Sequence, residues 1–263
     1  MWQALCLTVG ALVLAFAVGV RPPLEEMCKP VFGRVARVWP DSMHPNAITL
    51  IGGAFVILAY SATSRGAYGW GAVAHVAYVF ADNTDGCHAR RTGQSSALGH
   101  MLDHMIDGTV GCWMPWITLT QVLFHMEDSM ASSVWWSGSM AILTGMITVL
   151  WTGNKSLFAD LEINALTVCV LVLAAAFPDI RLPSHFDGAE MHTVIGMLLD
   201  AFAVITLIVA MTADRQRSRS NAVAGWWTLA LLVWRAAVSL GLPPLVLAVS
   251  QFMLLFGVCL ATT

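Results

Sequence analysis

The sequence predicts an all-α protein, a polytopic transmembrane bundle of about eight or nine membrane helices. Three observations carry that expectation. Hydrophobic residues make up 57% of the 263 positions and charged residues only 11%, whereas soluble domains carry roughly a quarter charged residues. Apolar runs of bilayer-crossing length recur along the chain. The basic residues gather in alternate loops, the asymmetry that orients membrane helices.

Taken in order, residues 1–20 are apolar and lack a basic leading segment, so they are expected to be a retained membrane helix; a cleaved signal peptide is the alternative. Pro22-Pro23 breaks it. Residues 24–39 alternate Lys29, Arg34 and Arg37 with Met27, Val31, Val35 and Val38, a pattern suited to a helix lying in the headgroup layer. The core spans are expected at 46–62, 68–81, 97–124, 134–152, 162–177, 191–212, 226–240 and 245–260. The run from 97 is long enough to extend past the membrane. Two units follow: 1–45, an N-terminal helix plus an interfacial helix, and 46–263, a transmembrane catalytic domain with its core at about 46–212.

Counting crossings from Asn46, the loops holding Arg90-Arg91, Lys155 and Arg215-Arg217-Arg219 share the side of the interfacial helix. Glu127-Asp128, Asp179, Asp187 and Glu190 fall on the other, with Arg65 and Arg181 its few basic residues. The basic side is cytosolic by the positive-inside rule. A formal charge of -3 provides no basic field for nucleic acid. The six cysteines are scattered without a CxxC pair and read as buried thiols.

Chemistry concentrates between Asp82 and Asp107. The chain reads Asp82-Asn83-Thr84-Asp85-Gly86-Cys87-His88-Ala89-Arg90, and after a short spacer Gly99-His100-Met101-Leu102-Asp103-His104-Met105-Ile106-Asp107. Carboxylates beside membrane spans persist chiefly where they bind ions or substrate. Asp82 and Asp85 are three apart and share a helix face; Gly99, Asp103 and Asp107 recur every four residues along the next helix. Four carboxylates cannot remain ionised together without counter-charge. Hard oxygen ligands suit Mg²⁺ or Mn²⁺, which bind through carboxylates and substrate phosphate. Arg90 and Arg91 add positive charge. Gly86 and Gly99 allow close backbone approach, Ala89 keeps the packing thin, and Arg90 presents a fork matched to phosphate oxygens. Gly93-Gln94-Ser95-Ser96 reads as the turn, with Ser95 or Ser96 capping the second helix. The purely structural alternative has the aspartates pairing with Arg and His to hold helices together.

This stretch resembles the signature of the CDP-alcohol phosphotransferase family, Asp-x-x-Asp-Gly-x-x-Ala-Arg, a spacer, then Gly-x-x-x-Asp-x-x-x-Asp, at all eight positions. More narrowly, Ala89-Arg90-Arg91-Thr92-Gly93-x-Ser95-Ser96-x-Leu98-Gly99 and Asp103-His104-x-x-Asp107 look like the eukaryotic choline/ethanolamine phosphotransferase branch. Pro45-Asn46-x-Ile48-Thr49-Leu50-x-Gly52 and, more weakly, Trp151-Thr152-Gly153 through Glu162 are similar to it too. His100, in place of an acidic residue, and Cys87-His88 depart from the branch. The resemblance covers roughly residues 24–165.

The resemblance implies that a diacylglycerol hydroxyl attacks the β-phosphorus of CDP-ethanolamine or CDP-choline and releases CMP. Asp82, Asp85, Asp103 and Asp107 would bind two divalent cations, Mg²⁺ or Mn²⁺. Asn46, Gly86, Ala89, Arg90 and Gly99 would contact the CDP-alcohol. His104 is the preferred base, having the right ordinary pKa beside the aspartates; Asp107 is the other. Glu162 is either a headgroup or active-site contact or a negative charge complementing a helix N-terminus. A homodimer and an endoplasmic reticulum or Golgi membrane, with the site facing the cytosol, are also implied. Three rivals are a family member using CDP-diacylglycerol, as in phosphatidylinositol synthesis, a cation transporter using the aspartates as its path, and a catalytically dead scaffold or lipid-binding relative. Asp200 and Arg235 are either functional intramembrane charges or a mutual or interfacial ion pair, and His125, His185 and His192 read as interfacial.

Overall fold

The computed structural model describes residues 23–124, 160–179, 185–186 and 189–190. Six helices form its frame: α1 (Pro23–Val35), α2 (Pro45–Thr63), α3 (Tyr68–Thr92), α4 (Ala97–Ile106), α5 (Cys112–Phe124) and α6 (Asp160–Ala176). A 3₁₀ turn, Ala36–Val38, follows α1, and a π turn, Asp107–Gly111, joins α4 to α5. The described strands are two residues each, His185–Phe186 antiparallel to Ala189–Glu190, a single short pairing rather than a layer. The helical expectation therefore holds. The expected spans at 1–20, 134–152, 191–212, 226–240 and 245–260 lie outside the described residues.

Local sequence explains most helix ends. Pro45 occupies the first turn of α2, where its missing N–H costs nothing, and His44 Nδ1 accepts from the Asn46 N–H at 3.2 Å. α3 stops at Gly93, whose φ of 69° is left-handed, the conformation glycine adopts without a Cβ penalty. Ser96, not Ser95, caps α4: its Oγ accepts from the Gly99 N–H at 3.0 Å.

Among the described residues, α2 alone is both long and apolar enough to cross a bilayer. α3 has 25 residues, more than a crossing needs. Its C-terminal third carries Asp82, Asp85, Arg90 and Arg91, so the helix extends 11 residues beyond the apolar run that ends at Ala81. Residues 97–124, expected as one long helix, are interrupted by the π turn. Pro115 inside α5 has no N–H for the Gly111 carbonyl four residues back, and a π turn ending at Gly111 relieves that conflict.

Glycines set how closely the frame packs. A Cβ at Gly52 of α2 would stand 3.2 Å from Ala81 Cβ and 3.8 Å from the Asp82 nitrogen of α3. One at the adjoining Gly53 would meet Ile106 of α4 at 3.4 Å. Two neighbouring glycines thus bring the ends of α3 and α4 that bear aspartates against the same stretch of α2. Gly111 faces the Tyr78 hydroxyl so closely that any side chain there would collide with it.

The apolar core, Ala72, Leu119, Val122, Val170, Leu171 and Ala174, joins α3, α5 and α6. It lies about 20 Å along α3 from Asp85, at 1.5 Å per residue. Between the two, buried His75 Nε2 donates to Asn164 Oδ1 of α6 at 2.8 Å. Large apolar side chains face outward on α2 (Leu50, Ile57, Leu58), α3 (Trp70, Val73, Val76) and α6 (Leu166, Val172, Leu173). On α1 and its 3₁₀ turn, Met27, Val31, Val35 and Val38 are exposed as well, the face assigned above to the headgroup layer.

Candidate metal and nucleotide site

The site is built on α3 and α4 where both lean on the first turns of α2. Asp103, His104 and Asp107 each present a ligand atom within 4.8 Å of the others. His104 Nδ1 is 4.0 Å from Asp107 Oδ2 on the helix face they share. Asp107 also opens the π turn, and its N–H reaches the carbonyls of both Asp103 and His104. The π turn therefore begins inside the ligand group itself, as such bulges do at many functional sites.

On α3 the arrangement differs. Asp85 is buried, and each of its oxygens has a donor: Oδ1 takes the Gly86 N–H at 2.5 Å and Oδ2 takes the Thr49 hydroxyl at 2.5 Å. Asp85 lies beyond the apolar run of its helix. Burial pushes its carboxyl up to about 6, opposed by the Thr49 and Gly86 hydrogen bonds and by the Arg90 charge. A buried carboxylate of this kind gains from a cation nearby. Asp82 stands one turn earlier on the same helix, beside Gly52. Neither Asp82 nor Asp85 belongs to the close Asp103–His104–Asp107 group; what the two helices share is the stretch of α2 at Gly52 and Gly53 on which each packs.

The other expected residues divide clearly. Gly99 makes room for Asn46, since a Cβ there would be 3.1 Å from Asn46 Oδ1, so Asn46 faces the first turn of the aspartate helix α4. The Arg90 guanidinium folds back over Gly86, 3.3 Å from where a Cβ would be, and donates to Cys87 Sγ at 3.4 Å. Ala89 is half-buried beside it. Glu162 lies in the first turn of α6. Arg91, expected to supply charge to the site, instead turns away. It pairs with Asp41, donates to the Trp39 carbonyl at 3.0 Å and to His88 Nδ1 at 2.9 Å.

Those contacts belong to a strap that the sequence did not reveal. Residues 39–43 lie over the second half of α3: Trp39 Nε1 donates to Thr84 Oγ1 at 2.8 Å, Trp39 packs on Phe80, and fully buried His88 donates to the Met43 carbonyl at 2.8 Å. His88, a departure from the branch pattern, is thus a structural pin. Sequence reasoning also missed Thr49, His75 and Asn164. Thr49 had a signal, standing in the Pro45-to-Gly52 stretch, but nothing linked it to Asp85.

The donor set fits a hard divalent cation. Carboxylate oxygens dominate, the His104 imidazole stands beside them, and the members of the group are half-buried. Such ligands suit Mg²⁺ or Mn²⁺ better than a thiolate-seeking metal.

Comparison with known proteins agrees with this chemistry. The model of the CDP-alcohol phosphatidyltransferase family matches residues 42–234. The chain is 34% identical over 116 residues to choline/ethanolaminephosphotransferase 1 of Saccharomyces cerevisiae, covering 40% of this chain and 28% of that protein. It is 36% identical over 94 residues to cholinephosphotransferase 1 of the same yeast, covering 32% and 24%. It is also 36% identical over 101 residues to choline/ethanolaminephosphotransferase 2 of Arabidopsis thaliana, covering 34% and 25%. The matched segments span about a quarter of those relatives' lengths. The chain belongs to the CDP-alcohol phosphatidyltransferase family, as a transferase similar to its eukaryotic choline/ethanolamine phosphotransferase branch.

Proposed function

We propose that this protein transfers phosphoethanolamine or phosphocholine from the CDP-alcohol to the hydroxyl of diacylglycerol, releasing CMP. The observation that carries the reading is the Asp103–His104–Asp107 group, which sets an imidazole among the carboxylates of the signature. Asp82, Asp85, Asp103 and Asp107 would hold Mg²⁺ or Mn²⁺. When bound, such ions neutralise the pyrophosphate and stabilise the charge that develops on the attacking and leaving oxygens.

The chain's own residues supply the rest. Asn46, Gly86, Ala89, Arg90 and Gly99 receive the CDP-alcohol, the glycines giving its phosphates access to backbone and Arg90 offering paired N–H donors. His104 takes the proton of the lipid hydroxyl as its oxygen bonds to the β-phosphorus; the phosphoanhydride bond breaks and CMP leaves with the electron pair. Proton removal by a positioned base contributes about 10²–10⁴-fold. Glu162 contacts the headgroup or active site, or complements the α6 N-terminus. The outward apolar faces of α2, α3 and α6 support a bilayer setting, with lipid entering sideways, nucleotide arriving from the cytosol, and the endoplasmic reticulum or Golgi as the membrane. A homodimer is part of the same reading.

Membranes carrying the protein and supplied separately with radiolabelled CDP-ethanolamine, CDP-choline and CDP-diacylglycerol test it. Label should enter phospholipid from one or both of the first two, with CMP release that requires a divalent cation. Incorporation from CDP-diacylglycerol alone would assign the protein to the rival lipid-synthesis reaction.

A further inference from the structure

We propose that Thr49 is a positioning residue for the metal site, holding the Asp85 carboxylate from a different helix. The inference rests on the cation-binding reading above and extends it to a residue outside the aspartate signature. Three features of the geometry point to it. Thr49 is buried, so its hydroxyl does not exchange partners with water. Its Oγ1 donates to Asp85 Oδ2 at 2.5 Å, and the Pro45 carbonyl, at 3.4 Å, is a much longer contact. Asp85 Oδ1 already holds the Gly86 N–H, so the carboxylate is fixed at both ends.

The consequence is orientational. A carboxylate oxygen has two lone pairs. With one on each oxygen taken by Thr49 and Gly86, the carboxyl plane is set and the remaining lone pairs have defined directions. The Gly86 donor lies on Asp85's own helix, so it cannot fix the aspartate relative to α2. Thr49 can, and it lies one turn after Asn46, whose side chain adjoins Gly99 of α4. One helix face therefore contacts both halves of the aspartate signature. Hydrogen-bonding partners behind metal ligands typically contribute 10–100-fold in metal affinity or activity.

Thr49→Val preserves shape and removes the hydroxyl; Thr49→Ser keeps the hydroxyl and removes a methyl. Mn²⁺ binding to the purified full chain, followed by electron paramagnetic resonance without nucleotide or lipid, reads the effect directly. Thr49→Val should weaken Mn²⁺ binding about tenfold or more, with helical circular dichroism unchanged, and Thr49→Ser should stay within about threefold of the parent. Unchanged affinity in Thr49→Val, or equal losses in both variants, would overturn the proposal. Absence of Mn²⁺ binding by the parent protein would instead overturn the cation reading on which it depends.

Discussion

The two carboxylate-bearing helices reach the site by opposite means. On α3, Asp85 is buried and gripped by donors, one of them from α2. That helix is itself strapped by residues 39–43 through Thr84, His88 and Arg91. On α4, a ten-residue helix, Asp103 and His104 sit together with Asp107, the residue at which the helix gives way to a π turn. One half is positioned by its neighbours and the other by its own backbone. Positioning from outside requires several distant residues to agree, whereas a periodic helix delivers a cluster from spacing alone.

Substitutions should separate the halves. The largest loss is expected where chemistry and backbone distortion meet: His104→Gln should lower kcat by about 10³-fold as the base is lost while leaving Mn²⁺ affinity within a few-fold, measured by CMP release and metal titration. If kcat were unchanged, the proton would have to go to Asp107. Next, Gly111→Ala should destabilise the fold by about 1–3 kcal/mol, since a methyl is driven into the Tyr78 ring and hydroxyl and overpacked interiors cost that much. Thermal unfolding in detergent reads it, and an unchanged midpoint would mean that α5 shifts freely.

A pH dependence belongs to the externally held half. Because the Asp85 carboxyl is raised to about 6 by burial, it is protonated below that value and ionised above it. Protons should then compete with Mn²⁺, and affinity should fall by about tenfold per pH unit below pH 6, an effect that Asp85→Asn flattens. The smallest effect is expected at the strap. Arg91→Ala removes an ion pair to an exposed partner, Asp41, of a kind typically contributing 0–1 kcal/mol. Turnover should change less than threefold, and a loss comparable to that of His104→Gln would move Arg91 into the site.

The halves also differ in how legible they were. Gly99, Asp103 and Asp107 at four-residue spacing, with His104 between, announced the α4 group directly, and Gly93 and Ser96 marked the turn before it. Asp82 and Asp85 were equally visible as residues. What holds them was not, because Thr49 meets Asp85 across 36 positions and His88 meets Met43 across 45. The His75–Asn164 bond spans 89. No local period encodes such pairs. Apolar runs located α2, α3 and α6, while the polar extension of α3 was marked by the helix face that Asp82 and Asp85 share and by the turn at Gly93; its propagation to Thr92 is sustained by tertiary contacts rather than by an apolar stripe. Pro115 was visible, but the structure meets it with a π turn over Asp107–Gly111 rather than with a simple kink.

The most direct test of a cation site shared between two helices is Mn²⁺ titration of the parent protein, Asp85→Asn and Asp107→Asn side by side. Each substitution should weaken the same high-affinity binding by about 10²-fold or more, in keeping with the loss of a charged ligand from a preorganised site. High-affinity binding left intact by either one would show that α3 and α4 do not hold their metal together.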